Sequence, residues 1–309
     1  MQAVTANPGA LPIVDAHHHL WDLSAVHYPW LTTDIEPHFM FGDYTPLRQN
    51  YLPPDYLHDS AGHRIVATVH CEAEADRSDP VAETSWLERQ HARYGFPNAL
   101  VVWADFGSPA CAAQLEAHLA VSSRVRGVRC KPRLPAMPHT GDLDDPNWLK
   151  GLSLLDQYGL SWDLRVPWWS LAAAAHVAER YQKTTIILNH CGLPWQRDAE
   201  GIGVWRAGMR ALAACPNVNV KLSELGLAER VWSEADNVPI LQETLETFGP
   251  QRCLFASNFP VAGMRVGYDR WVDAVNTALQ GHSPDDRAAV FAGNARRVYR
   301  IKENAAPAA

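Results

Sequence analysis

The segment Asp15-Ala16-His17-His18-His19 closes a short β-rich run near the start of the chain. Side chains two apart on a strand share a face, so His17 and His19 can point one way while His18 points the other. Two imidazoles at that spacing suit a divalent metal, although histidine-rich strand ends also serve as ordinary hydrogen-bonded surface. A second signal is Ile186-Ile187-Leu188-Asn189-His190-Cys191-Gly192, an apolar run that ends in a histidine and a glycine turn. Alone, His190 reads as a structural histidine. If both runs end at one mouth, His17, His19 and His190 form the three-imidazole set that leaves zinc an open fourth position for water. A third run, Cys253 to Pro260, carries Asn258 toward the same place. Its amide donates and accepts hydrogen bonds but cannot ionise, and its plainer role is to start the turn before Phe259-Pro260.

Less specific groups surround these. Arg126, Arg129, Lys131 and Arg133 cluster on or after one run, and Arg129, nearer its C-terminal end, is favoured to face inward. A guanidinium there can clamp a carboxylate or polarise a carbonyl, or form a rim salt bridge. Glu72, Glu74, Asp105, Asp163, Arg165, Lys221, Ser223 and Glu224 are inward candidates that individually read as structural. Trp168 and Trp169 can line an apolar wall or pack in the outer core.

The elements that must position these groups follow a regular alternation. Eight β-rich runs are expected at Ile13–His17, Arg64–Cys71, Asn98–Asp105, Arg124–Cys130, Leu160–Val166, Thr184–His190, Asn217–Leu222 and Arg252–Ser257. Helical patterns lie between them, at Pro80–Tyr94, Pro109–Ala120, Pro146–Tyr158, Ser170–Tyr181, Val204–Ala214, Ser233–Phe248 and Arg270–Leu279. Asp79-Pro80, Ser108-Pro109 and Asp145-Pro146 each place a capping side chain before a proline, which predicts three helix starts. Runs apolar on consecutive positions, such as Val101-Val102-Trp103, fit strands covered on both faces. The expectation is an α/β fold, a single-domain (β/α)8 TIM-type barrel over residues 13–300, with an open doubly wound sheet as the alternative. No G-x-G-x-x-G or Walker loop follows the first strand, which weakens the open-sheet reading. Residues 1–12 and 301–309 read as tails. The stretch 20–51, rich in Trp21, Tyr28, Trp30 and Phe39 to Phe41, reads as an insertion that either walls a pocket or buries its own rings.

Composition narrows the partners. The 309 residues carry 27 Lys+Arg against 34 Asp+Glu, a formal net charge of −7, with no basic run to hold a phosphate backbone, so nucleic acid is not expected. The six cysteines lie far apart without a C-x-x-C pair and read as reduced core thiols. No apolar stretch approaches the roughly 20 residues of a membrane span, and no secretory signal is visible, so a cytoplasmic protein is expected.

Taken together, Ile13 to Asp22, Tyr28-Pro29-Trp30-Leu31, Val125 to Arg129, Asn189 to Gly192 and Ala256 to Pro260 resemble the amidohydrolase-2 branch of the amidohydrolase superfamily. The similarity runs from about Ile13 to Tyr299 and is nearest to the subgroup of sugar lactonases, sulfomuconolactone hydrolase and pyrone-dicarboxylate lactonase. It implies a distorted TIM barrel and a hydrolase that opens a lactone, a carboxylic ester ring, by attack of activated water. It also implies His17 and His19 as the first-strand pair, His190 as the third histidine and Arg129 as a substrate-binding cation. Trp21 and Trp168 join Arg129 as expected substrate contacts. The branch usually ends its last strand with an aspartate that moves the proton of the attacking water, and here that position is Asn258. Either His190 or Glu72 then takes the proton, or the chain does other chemistry. The alternatives are non-oxidative decarboxylation, amide or C–N hydrolysis, or binding without turnover. A zinc or other divalent ion on His17, His19 and His190 is implied only weakly, since metal-independent members exist. The expected partner is a small molecule, a lactone or carboxylate-bearing compound.

Overall fold

Eight strands hydrogen-bond in sequence order, all parallel: β1 Pro12–His18, β2 Arg64–Cys71, β3 Ala99–Val102, β4 Val125–Val128, β5 Ser161–Leu164, β6 Ile186–Leu188, β7 Val218–Leu222 and β8 Cys253–Phe255. The computed structural model describes residues 11–36, 39–134, 141–228 and 230–302; the two expected tails lie largely outside these. Six longer helices return the chain between strands, spanning Ala82–Tyr94, Cys111–Val121, Pro146–Tyr158, Leu171–Arg180, Ala199–Ala214 and Glu234–Phe248, and a seventh, Tyr268–Ala278, follows the last strand. The expected eight-stranded α/β barrel is the fold found.

Local chemistry decides the boundaries. Asp145 caps its helix as expected, accepting from the Asn147 and Trp148 amides at 2.7 and 3.2 Å. The other two Pro-based starts are displaced: Ala82–Tyr94 and Cys111–Val121 begin two residues after Pro80 and Pro109 and have no side-chain cap. Asp79 and Ser108 instead give their carbonyls to the Ala82 and Cys111 amides, closing turns that lead into the helices. The helix expected at Val204 starts five residues earlier, because Asp198 caps it through the Gly201 amide at 2.7 Å.

Two apolar layers form. Outward strand residues such as Val125, Trp162, Leu164, Val220 and Leu222 pack against the helices. The interior holds small or branched side chains, among them Val14, Ala16, Val69, Val101 and Ala256, together with Ala292, Ala295, Val298 and Tyr299 from the last helical turns. Among the described residues no helix is long and apolar enough to cross a membrane.

Closure between β8 and β1 is irregular and rests on Asp15. Its fully buried carboxylate accepts from the Ser257 amide at 2.9 Å, the Ser257 hydroxyl at 2.6 Å and the Tyr56 hydroxyl at 2.9 Å. Beyond it the His19 amide donates to the Phe259 carbonyl at 2.8 Å and the Asn258 amide to the His17 carbonyl at 2.7 Å. Asp15 thus joins the first and last strands just below the histidine pair. Removing its carboxylate leaves several buried donors unpaired, each costly in a dry interior. Asp15→Ala is expected to lower unfolding free energy by about 3 kcal/mol, read from urea midpoints against an exposed Asp→Ala control.

Candidate active site

Strand β1 reaches the barrel mouth with an altered alternation. Val14 and Ala16 belong to the interior cluster while Asp15 meets Tyr56 and Tyr268, so a regular strand would send His17 outward. The pairing register of β1 shifts between Asp15 and His18, and His17 and His19 both face in. The His17 ring centroid lies 5.0 Å from His19 and 4.7 Å from His190, while His18 packs outside against Tyr56 at 4.6 Å. The three predicted imidazoles are therefore brought together. His190, expected to end its strand, sits two residues past the end of β6, in a turn at φ 57.

The ring tautomers follow from their partners. His19 Nδ1 lies 2.7 Å from the Cys71 carbonyl, which only accepts, so Nδ1 carries the proton and Nε2 a lone pair. His190 Nε2 faces the Glu224 carboxylate at 3.3 Å and its Nδ1 meets the Ser223 hydroxyl at 2.8 Å. An ionised Glu224 thus fixes the proton on Nε2, and Ser223 donates to Nδ1. Burial, with surrounding Arg and Lys charge, drives both imidazoles well below the usual histidine range, so they are neutral.

Glu224, beyond the end of β7, is the group that sequence reasoning placed inward without giving it a role. Its Oε2 accepts from Asn258 Nδ2 in a short contact and its Oε1 is buried without a partner. Burial pushes its carboxyl up to about 7, against the opposing pull of Arg165, Arg129 and Lys131. His190, Glu224 and Asn258 share left-handed backbone, at φ 57, 47 and 56, a conformation non-glycine residues adopt only when the surroundings enforce it. The signal that could have found Glu224 is Asn258 itself. A carboxylate missing from the end of β8 directs attention to the end of the adjacent strand.

A cavity of about 710 Å³ opens above this floor. Its floor and cationic side include His19, His190, Glu224, Asn258, Arg129 and Arg165, and its apolar wall is Trp21, Trp30, Phe39 and Trp195. The insertion at 20–51 supplies most of that wall and also buries its own rings: Trp30 stacks on Phe39 at 5.9 Å, and Tyr44 lies 4.6 Å from Phe39. Trp168, expected as a substrate contact, does not line the cavity. It is buried against Trp169 at 5.4 Å, and Trp195 stands on the wall instead.

Glu72, named from sequence as an alternative proton acceptor, also lies off the cavity lining. Its carboxylate accepts from Arg129 Nε at 2.7 Å, from both Arg77 terminal nitrogens at 3.1 Å and from the Glu74 amide at 3.0 Å. Burial alone would raise its pKa, but Arg129, Arg77 and Lys131 outweigh it and hold the group well below the usual carboxylate range. So held, it anchors Arg129, which does line the cavity. Arg126, on the other parity, turns back to the Ser123 and Val125 carbonyls at 2.6 and 2.9 Å.

Among the described residues, the group whose donor atoms all lie within 4.8 Å of one another is His17, Cys71 and Asp163, not the three imidazoles. Within that group Lys221 Nζ already donates to Asp163 Oδ1 in a short contact and to His17 Nδ1 at 3.1 Å. With Lys221 in place these residues do not fit a divalent ion, and the imidazole nitrogens above them do not converge on one.

The amidohydrolase family model matches residues 14–301. The chain belongs to the amidohydrolase family. It is 34% identical to the uncharacterized protein y4mH of Sinorhizobium fredii, covering 94% of this chain and 99% of that one. It is 29% identical to L-fucono-1,5-lactonase of Burkholderia multivorans, covering 96% and 98%. A crystal structure of a Burkholderia multivorans amidohydrolase with bound zinc superposes with a TM-score of 0.75 at 26% identity, over 94% of this chain and 99% of that one.

The ion-paired Glu72 makes a stability prediction. A carboxyl depressed by folding contributes stability that is complete above its unfolded value, near 4.5, and lost as pH falls below it. Wild type should exceed Glu72→Gln in stability at about pH 6, with the gap narrowing by about pH 3 in urea titrations.

Proposed function

We propose that the chain is a hydrolase that opens a lactone ring, with Glu224 receiving the proton of the attacking water. The observation that carries this reading is the carboxylate of Glu224, with one buried free oxygen, on the floor of an aromatic-walled cavity. The full-length likeness to a curated fuconolactonase supports the ester-ring substrate.

In this mechanism the substrate ring lies against Trp21 and Trp30 with its carbonyl above the floor. Glu224 takes a proton from water as the water oxygen bonds to the carbonyl carbon. Arg129, Lys131 and Arg165, which line the cavity, oppose the negative charge that develops on the carbonyl oxygen. When the tetrahedral intermediate collapses, the ring C–O bond breaks and the Glu224 carboxylic acid returns its proton to the leaving oxygen.

Asn258 tunes this cycle without ionising. Its Nδ2 donates to Glu224 while its Oδ1 faces the lone pair of His19 Nε2 at 3.1 Å, so one of its two contacts sets acceptor against acceptor. When the acid proton sits on Oε2, the oxygen that faces Asn258, the amide can turn over, accepting from the acid and donating to His19, and both contacts are satisfied. The mismatch therefore favours the protonated carboxyl, in keeping with a value pushed up to about 7. This answers the loss of the usual aspartate: a base remains, on the neighbouring strand.

Arg165 supports a substrate that also bears a carboxylate. Its guanidinium touches Met40 Sδ at 3.6 Å and lies 5.8 Å from the Trp195 ring centre, and among the described residues it makes no ion pair. By contrast Arg129 and Lys131 are matched by Glu72 and Glu74. Its charge acts on Glu224, but no carboxylate among the described residues lies within ion-pair reach of its guanidinium, so its donors are open to an anion.

A panel of aldonolactones and carboxylate-bearing lactones, followed by proton release, tests the activity; no turnover of any ester ring would exclude it. Glu224 must be ionised to act, so kcat/KM should rise with pH through about 7 and level off above it. Glu224→Gln should lose roughly 100-fold or more in kcat together with that rising limb. Arg165→Met should raise KM about tenfold for carboxylate-bearing lactones and leave neutral ones nearly unchanged, in the same assay.

A further inference from the structure

We propose that the Lys221 ammonium is the resident cation of the barrel axis, seated where His17, Cys71 and Asp163 would otherwise hold a divalent metal ion. An imidazole, a thiol and a carboxylate are a donor set of the kind zinc takes, and all three are fully buried with donor atoms within 4.8 Å of one another. A buried carboxylate beside a buried imidazole requires a positive charge nearby, because neither water nor bulk counter-ions reach it. Lys221 supplies it from β7 with no exposed surface of its own.

The contacts are those of an occupied cation position. Lys221 Nζ donates to Asp163 Oδ1 and to His17 Nδ1 at 3.1 Å, engaging two of the three donor residues. The Tyr299 hydroxyl approaches the two Asp163 oxygens at 3.0 and 3.1 Å, and Asn189 Nδ2 donates to Oδ1 at 3.2 Å. The Tyr299 ring lies 5.4 Å from Nζ, presenting its face to the ammonium. A divalent ion added here would meet a fixed positive charge at its centre. Conversely, shortening Lys221 to alanine leaves an uncompensated carboxylate, an unprotonated His17 Nδ1 and the volume of an aminopropyl chain, which together form a site for an ion and a water.

The test uses the full chain without a purification tag, and Zn2+ alone as the probe. Wild type, Lys221→Ala and Lys221→Ala/His17→Ala are incubated with Zn2+ and desalted, and zinc per chain and melting temperature are measured. The expected result is about one more zinc per chain in Lys221→Ala than in wild type. That ion should be lost again in the double variant, and the melting temperature of Lys221→Ala, but not of wild type, should rise with Zn2+. If Lys221→Ala folds only when Zn2+ is supplied, the proposal is equally supported. It is overturned if Lys221→Ala folds without taking up the extra ion, takes up one that the double variant keeps, or stays unfolded at every Zn2+ concentration. It is also overturned if wild type retains an ion after desalting that His17→Ala removes.

Discussion

Charge buried along the barrel axis has to be balanced by charge buried beside it, and this constraint governs the molecule more than any single apolar contact. Lys221 answers Asp163, Arg129 answers Glu72, and both pairs are almost completely withdrawn from water. Each partner lies on, or directly follows, a different strand, so the pairs hold their groups in place only while the barrel is closed. Removing one member leaves its partner as an unpaired interior charge, which is far more damaging than losing the attraction itself. The ion pairs therefore tie the integrity of the barrel to the arrangement of its mouth.

Above these pairs the polar groups become progressively less satisfied. Asp163 has three protein donors, His190 is held at both nitrogens, Asn258 carries one mismatched contact, and Glu224 has an oxygen with none. Such a gradient is what a site for reaction needs: a fixed base below and uncommitted hydrogen-bonding capacity where substrate arrives. The neutral imidazoles fit this order, because protonating them would add positive charge to a region already rich in Arg and Lys.

Much of the barrel was legible because parallel strands covered on both faces leave unbroken apolar runs, and all eight were locatable from them. Their lengths were not. β6 covers Ile186–Leu188 rather than reaching His190, since the ladder stops where Asn189 and His190 turn toward the cavity. The Pro80 and Pro109 starts were misplaced because a cap-like residue before proline serves a turn as readily as a helix. At the site, the clustering of His17, His19 and His190 was readable from strand ends. The roles of Glu72 and Trp168 were not, because one residue's position in a strand does not say which partner claims its side chain. Lys221 was named only as one inward group among several; its pairing with Asp163 joins β7 to β5 past the intervening β6, which the sequence pattern does not specify.

The aromatic insertion leaves and rejoins the barrel through a single narrow neck. Trp21 and Tyr51 exchange both backbone hydrogen bonds there, at 2.9 and 3.0 Å. Inside the neck the segment still reaches the rest of the site, Trp30 Nε1 donating to the Ala73 carbonyl at 2.8 Å and Met40 Sδ meeting the Arg165 guanidinium at 3.6 Å. A change of ring selectivity made in this segment must therefore keep those two contacts if the groups beside Glu224 are to stay in place.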